Sequence, residues 1–326
     1  MKLLRLATAL IAAGVLSGAA SAFDLDSALP AYKPVSGLSG QIKAVGSDTL
    51  GVLMRTWADK FKALYPDVKI EIESKGSATA PPALTEGAAQ IGPMSRPMSE
   101  EEIEAFQKKY GYYPVSTPVA VDEIAVFVNK DNPIQCLTIP QLDQIFSKSH
   151  LYSGGINVEK WGGVGLTGDW AAKPIALFGR NAQSGTHEIF VNDVLAHGDF
   201  KDSLKEEAGS EGVVAAVAAD KYAIGYSGIG YLTDGVRAVS LAATGASKCA
   251  DASFDSALSG KYPLERFLYV YLNKDPKKPL EPAVQEFIKY ILSRDGQAET
   301  IKAGVYPLVN ATRVAGLKHV GVAEAQ

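Results

Sequence analysis

The chain has 326 residues, with 32 Lys and Arg against 36 Asp and Glu, 47% hydrophobic and 9% aromatic residues, 31 Gly and 17 Pro. This composition belongs to a globular protein with room for one large or two medium domains, since a disordered chain is less apolar and a fibrous one carries a period. A net charge of −4 without a basic run argues against a nucleic-acid binder, which needs a cationic surface for the phosphate backbone; a local anion site remains compatible with it.

Lys2 and Arg5 precede an apolar run, Leu6 to Val15, and then a small-residue stretch in which Ala20-Ser21-Ala22 fits an export-signal cleavage site before Phe23. The run is too short to span a bilayer comfortably, and no second span follows. The expectation is a signal peptide over 1–22. Its loss removes Lys2 and Arg5, taking the net charge from −4 to −6. With no Cys near the cleavage site for a lipid anchor, a free periplasmic protein is expected.

The remainder alternates short apolar strands with helical patterns, the signature of an α/β fold. Ile42 to Val45 reads as a strand, and residues 49–64 place Leu50, Leu53, Met54, Trp57, Phe61 and Leu64 on one helical face. Val68 to Glu73 alternates as a half-buried strand, a short helix follows Pro81-Pro82, and Ala88 to Met94 is a further strand. Ser99 and Glu102 form a capping box that opens a helix ending at Gly111. Ile124 to Lys130 and Phe267 to Lys274 are alike, each a β-forming run broken by a turn, and suggest a chain that crosses between two lobes near 123 and again near 267. Cys136 and Cys249, the only cysteines, are either one bridge or two separate thiols; the bridge is expected in an oxidising compartment.

Three strand-to-helix turns share a hydroxyl-rich pattern: Gly46-Ser-Asp-Thr49, Gly76-Ser-Ala-Thr79 and Gly179-Arg-Asn-Ala-Gln-Ser-Gly-Thr186. A helix N-terminus presents unpaired N–H donors and partial positive charge, and Ser and Thr hydroxyls add donors. Any one such turn is also ordinary capping. Arg180 beside one turn and Arg96 at a strand end raise the significance of the set, because guanidinium forks match tetrahedral oxyanions.

These turns, together with Ile91-Gly-Pro-Met-Ser-Arg96, Ala223-Ile-Gly-Tyr226 and Phe287 to Gln297, resemble PstS-type periplasmic phosphate-binding proteins over most of the chain and in the expected order. The resemblance implies an α/β, two-lobed periplasmic solute-binding fold with two interlobe crossover strands and a cleft. Lobe 1 would comprise 23–122 plus 268–326 and lobe 2 residues 123–267. It implies a monomer that binds inorganic phosphate and delivers it to a membrane ABC permease complex, with no cofactor and no nucleic acid. Carried over by position, the site comprises Ser47, Asp48, Thr49, Ser77, Ser95, Arg96, Arg180, Ser184, Gly185 and Thr186.

One departure has a physical consequence. Many relatives place an Asp at the end of the strand that here reads Ile91-Gly-Pro-Met-Ser-Arg96, and this chain has Ser95-Arg96 instead. Phosphate near neutral pH carries a proton and sulfate does not, so an ionised carboxylate, which only accepts, favours phosphate. Asp48 is expected to supply that acceptor, with Arg96 as an added counter-charge; the alternative is that Asp48 caps the helix of residues 49–64.

Other signals are weaker. Gly163-Val-Gly-Leu-Thr-Gly168 lacks the strand of a dinucleotide site, Tyr226 to Gly230 lacks the spacing of a nucleophile elbow, and His187-Glu188 lacks the second His of a zincin helix. Trp57, Trp161 and Trp170 read as packing residues. A binder rather than an enzyme is expected, with another oxyanion such as sulfate or tungstate as the alternative ligand. An exported phosphatase is less favoured, because no His, Cys or metal cluster stands near the turns to activate a nucleophile.

Overall fold

The computed structural model describes residues 25–323; the expected signal peptide lies outside them. The first strands are β1 (Gly40–Gly46), β2 (Val68–Ser74) and β3 (Ile91–Met94), followed by β4 (Val115–Asn129), β5 (Cys136–Thr138), β6 (Ala176–Arg180) and β7 (Lys205–Glu207). The last four are β8 (Ala223–Gly228), β9 (Val236–Ala238), β10 (Ser240–Ala242) and β11 (Glu265–Leu272). Helices α1 (Gly51–Leu64), α2 (Ala80–Glu86), α3 (Glu100–Tyr110), α4 (Ile139–Phe146) and α5 (Gly185–Asp193) come first. They are followed by α6 (Ser210–Ala219), α7 (Phe254–Leu258), α8 (Pro282–Ile291), α9 (Arg294–Lys302) and α10 (Asn310–His319).

The strands form a curled mixed sheet of order β2-β1-β3-β11-β4-β8-β6-β7, with β9 on the far part of β4. β1 runs parallel to β2 and β3, and β6 parallel to β7 and β8. The strand shared by both halves is β4. Val115 to Glu123 pairs antiparallel with β11, whereas Ile124 to Val128 pairs antiparallel with β8. One strand thus passes from the first lobe to the second, and β11 returns beside it. From Val119 to Asn129 every residue is buried, so this part of β4 is covered on both faces. That run includes two carboxylates, Asp122 and Glu123, inside otherwise apolar sequence.

Helix α1 presents Leu53, Met54, Trp57, Ala58 and Phe61 to the core, and the Trp57 indole N–H donates to Gly296 O at 2.8 Å. Leu64, expected on the same face, is exposed. The capping box of Ser99 and Glu102 is present, with Ser99 Oγ accepting from the Glu102 N–H and Glu102 from the Ser99 N–H, and α3 ends at left-handed Gly111. In the second lobe Trp161 is buried and its indole donates to Tyr222 O. Cys136 and Cys249 are joined in a disulfide, which ties β5 to the segment beyond its parallel partner β10.

Candidate functional site

The carboxyl ends of β1, β2, β3 and β6 all point to the line where the lobes meet. Crevices at such strand ends, where connections diverge to opposite sides, are where open α/β sheets bind ligands. Each of these strands leads into a tight turn: β1 into Ser47-Asp48-Thr49, β2 into Gly76-Ser77, β3 into Ser95-Arg96, and β6 ends on Arg180 itself before the turn into α5.

From the first lobe, Ser47 donates its N–H to Pro93 O at 2.8 Å, while its buried Oγ has no partner among the described residues. Ser77 Oγ accepts from the Ser95 N–H at 3.0 Å and lies 3.1 Å from Ser95 Oγ. From the second lobe, Ser184 caps α5 by accepting from the Thr186 N–H at 3.1 Å. Gly185 touches the facing turns so closely that an added Cβ would lie 2.6 Å from Ser77 Oγ and 2.8 Å from Ser95 Oγ. Gly76 is likewise required by a φ of +115° and by Gln183 O, 2.4 Å from where its Cβ would stand. Thr49 Oγ1 and Thr186 Oγ1 meet across the line at 3.1 Å.

Arg180 is fully buried. Its backbone N–H donates to the Tyr226 hydroxyl, whose ring stacks on Phe190 with centroids 3.9 Å apart, which fixes the strand end. Its guanidinium reaches Asp48 Oδ2 at 2.6 Å and Ser210 Oγ at 2.8 Å. Ser210 in turn donates to Asp48 Oδ2 at 3.3 Å, and Arg180 Nε is buried without a hydrogen-bond partner among the described residues. The Asp48 side chain does not cap α1, whose start carries no side-chain cap at all. It instead supplies the counter-charge of an arginine on the opposite lobe, and Tyr231 holds its backbone by donating to Asp48 O at 2.8 Å.

Arg96 departs from its expected role. Its guanidinium forms a two-pronged pair with Glu102, at 2.7 Å on each prong, and its Nε lies 2.5 Å from Glu188 Oε2 on α5. A guanidinium already matched by two carboxylates has little charge left for a third anion. The remaining nine predicted residues gather along the buried meeting line, and Arg96 bridges the lobes beside them.

Sequence reasoning missed Asp122, Arg266 and Ser210. Arg266 on β11 stands opposite Asp122 on β4 and donates Nε and Nη2 to Asp122 Oδ2 at 3.0 and 2.7 Å. It also donates to Ser95 O at 3.1 Å and Thr186 Oγ1 at 2.9 Å. Burial pushes the Asp122 carboxyl up against the pull of Arg266, and burial lowers Arg266. Adjacent Glu123 is pushed up to about 8 by burial, despite a hydrogen bond donated by the Tyr306 hydroxyl at 3.0 Å. For Asp122 the available signal was a charge inside the unbroken buried run of β4, whereas Arg266 lies in the alternating start of β11 and Ser210 at the start of α6.

Residues 33–295 match the family model of the PBP superfamily domain. Over 325 residues the chain is 50% identical to the phosphate-binding protein PstS of Pseudomonas aeruginosa, an alignment covering 99% of this chain and 100% of that protein. The chain belongs to the PstS family of this superfamily. Among solved structures, a substrate-binding protein with bound phosphate from Clostridium perfringens matches this PstS-family fold with a TM-score of 0.70 at 26% identity, covering 82% of this chain and 100% of that one. An ABC-type phosphate transport receptor from Vibrio cholerae shares the fold with a TM-score of 0.63 at 22% identity, covering 82% and 100%.

Proposed function

We propose that this protein binds inorganic phosphate in the periplasm and delivers it to a membrane ABC importer, acting as a monomeric binder and not as an enzyme. The observation that carries this reading is the convergence of four strand-end turns on one buried line. They bring hydroxyls, a helix N-terminus and a guanidinium together, with Ser47 Oγ and Arg180 Nε still lacking partners there among the described residues. Buried polar groups without partners are rare and costly, so a ligand rich in acceptors is the chemistry that suits them. The phosphate-named relatives agree with it in kind. Among the described residues no helix is long and apolar enough to cross a membrane, and the signal sequence is read as directing export.

The nine converging residues, Ser47, Asp48, Thr49, Ser77, Ser95, Arg180, Ser184, Gly185 and Thr186, form the phosphate site in this reading. Arg180 supplies charge and Asp48 accepts the ligand's proton. The lobes run over 23–122 plus 268–326 and over 123–267, so closure about the β4 and β11 crossovers surrounds the ion. Arg96 acts as a clamp between lobes, replacing the counter-charge role first assigned to it.

Titration calorimetry on anion-stripped protein, with phosphate at pH 7 and then with excess sulfate present, tests the assignment. Tight one-to-one binding of phosphate that sulfate leaves unchanged is expected. Competition by sulfate would reassign the ligand, turnover of a chromogenic phosphate ester would make the protein an enzyme, and no heat or melting shift with either anion would end the oxyanion reading.

A further inference from the structure

We propose that Arg266, held by Asp122, is a positioning residue of the phosphate site: it orients the Thr186 hydroxyl so that its proton points across the lobe boundary toward the anion. The inference rests on the phosphate reading above and on the place of Thr186 in that site.

A guanidinium has donors only and stays charged. Since Arg266 Nη2 lies 2.9 Å from Thr186 Oγ1, the hydroxyl must accept there. Its single proton is then directed elsewhere, and its other neighbour is Thr49 Oγ1, 3.1 Å away on the opposite turn. The proton therefore lies on the line where the two lobes' donors gather. A hydroxyl that accepts from a cation is also a stronger donor, because hydrogen bonds in a chain polarise one another.

The rest of the Arg266 environment leaves it little freedom. Its side chain is 4% exposed and that of Asp122 is 0% exposed. Two of its bonds fall on Asp122 Oδ2 and another on the Ser95 carbonyl, directly beyond the β3 strand end. Asp122 thus balances the charge and sets the plane of the fork, while Ser95 O ties it to the first lobe. A buried ion pair of this kind is a poor source of stability compared with apolar packing. Two such residues facing each other at the crossover, with one fork reaching a site hydroxyl, suit a role in binding better than one in stability.

Phosphate calorimetry on wild-type protein, Arg266→Gln, Thr186→Val and the double variant tests this. If Arg266 works through the hydroxyl, each single change weakens binding about 10- to 100-fold, and the double variant is within about threefold of Thr186→Val alone. Losses that multiply in the double variant overturn the inference, as does an Arg266→Gln affinity within about threefold of wild type. Because Arg266→Gln strands a buried carboxylate, Asp122→Asn/Arg266→Gln, which removes both charges, is measured alongside it and carries the same prediction. Wild-type affinity in Thr186→Val would remove that residue from the site and overturn the inference with it, while phosphate binding by the unmodified protein would stand.

Discussion

Replacing Asp48 with Asn tests whether this carboxylate sorts anions. Its ion pair with Arg180 at 2.6 Å and its hydrogen bond from Ser210 at 3.3 Å both fall on Oδ2, which leaves Oδ1 to accept a hydrogen bond from a protonated phosphate. A hydrogen bond to a charged group contributes about 1.5–3 kcal/mol. Bare sulfate has no proton to give and faces the carboxylate with a second anionic oxygen. An Asn amide that keeps its single oxygen on Arg180 and Ser210 turns its NH2 toward the anion, so it no longer accepts from a protonated phosphate oxygen and can donate to sulfate. The expected change in phosphate-over-sulfate preference is therefore about 2–4 kcal/mol, roughly 30- to 1000-fold, shared between lost phosphate affinity and gained sulfate affinity. Arg180 keeps an amide acceptor but loses its counter-charge, so the anion-free variant should also melt lower than wild type, and added anion should narrow the gap. Calorimetric titration with each anion at pH 7, on protein verified as folded, reads the preference directly. A folded Asp48→Asn protein that rejects sulfate as strongly as wild type would refute the reasoning and leave Asp48 as a partner of Arg180 only.

Glu123 gives a pH prediction. Its carboxyl is raised from the usual 4.5 to about 8 in the folded protein, so the native state holds the proton more tightly, and the stability it carries is complete below about pH 4.5 and is lost as pH rises through 8. Glu123→Gln should match wild type near pH 4.5 and exceed it at pH 9 by about 2–4 kcal/mol in urea unfolding; parallel profiles would show that the carboxyl is relaxed by water. Gly185→Ala places a methyl 2.6 Å from Ser77 Oγ, which obstructs the meeting of the lobes, so phosphate affinity should fall at least about tenfold with little change in anion-free melting; unchanged affinity would mean the turns separate freely. Cys136→Ser/Cys249→Ser opens a bridge between residues 113 positions apart and should cost about 2–4 kcal/mol of stability, while phosphate affinity stays at the wild-type value because the bridge joins elements outside the strand-end turns.

Most of the alternation of strands and helices was legible because it rests on local rules. Periodicity located α1, and the Ser99–Glu102 box located α3 to the residue. The hydroxyl-rich turns were legible for a related reason, since a helix start and an anion cradle use the same groups. What remained hidden is the partner of each charge, because pairing is decided by which turns the fold brings face to face. Asp48 looks like a cap on its own helix in sequence, yet it pairs with an arginine 132 positions further on (from residue 48 to residue 180) in the opposite lobe. Arg96 looks like a free counter-charge, yet Glu102 is committed to it from the next helix and Glu188 from the other lobe.

The two crossover strands carry the same point further. Reading them as apolar runs beginning at Ile124 and at Phe267 trims each pattern beside its charged residues, Asp122 and Glu123 in one and Arg266 in the other. In a strand that is half exposed, a charge marks the solvent face and trimming is reasonable. In a strand covered on both faces it marks a group that must find its opposite by long-range pairing, and the β4–β11 register places Asp122 directly against Arg266. Apolar substitutes at both positions would pack without the desolvation cost of the ions. Neither position carries one, and the Arg266 fork reaches past its carboxylate to Ser95 and Thr186 on the two sides of the boundary. Asp122 and Arg266 are therefore the charges that connect the crossover to the proposed site, and the charged interruption in the doubly covered run of β4 is the sequence signal that would have located this pair, since Arg266 itself lies between exposed Glu265 and Phe267.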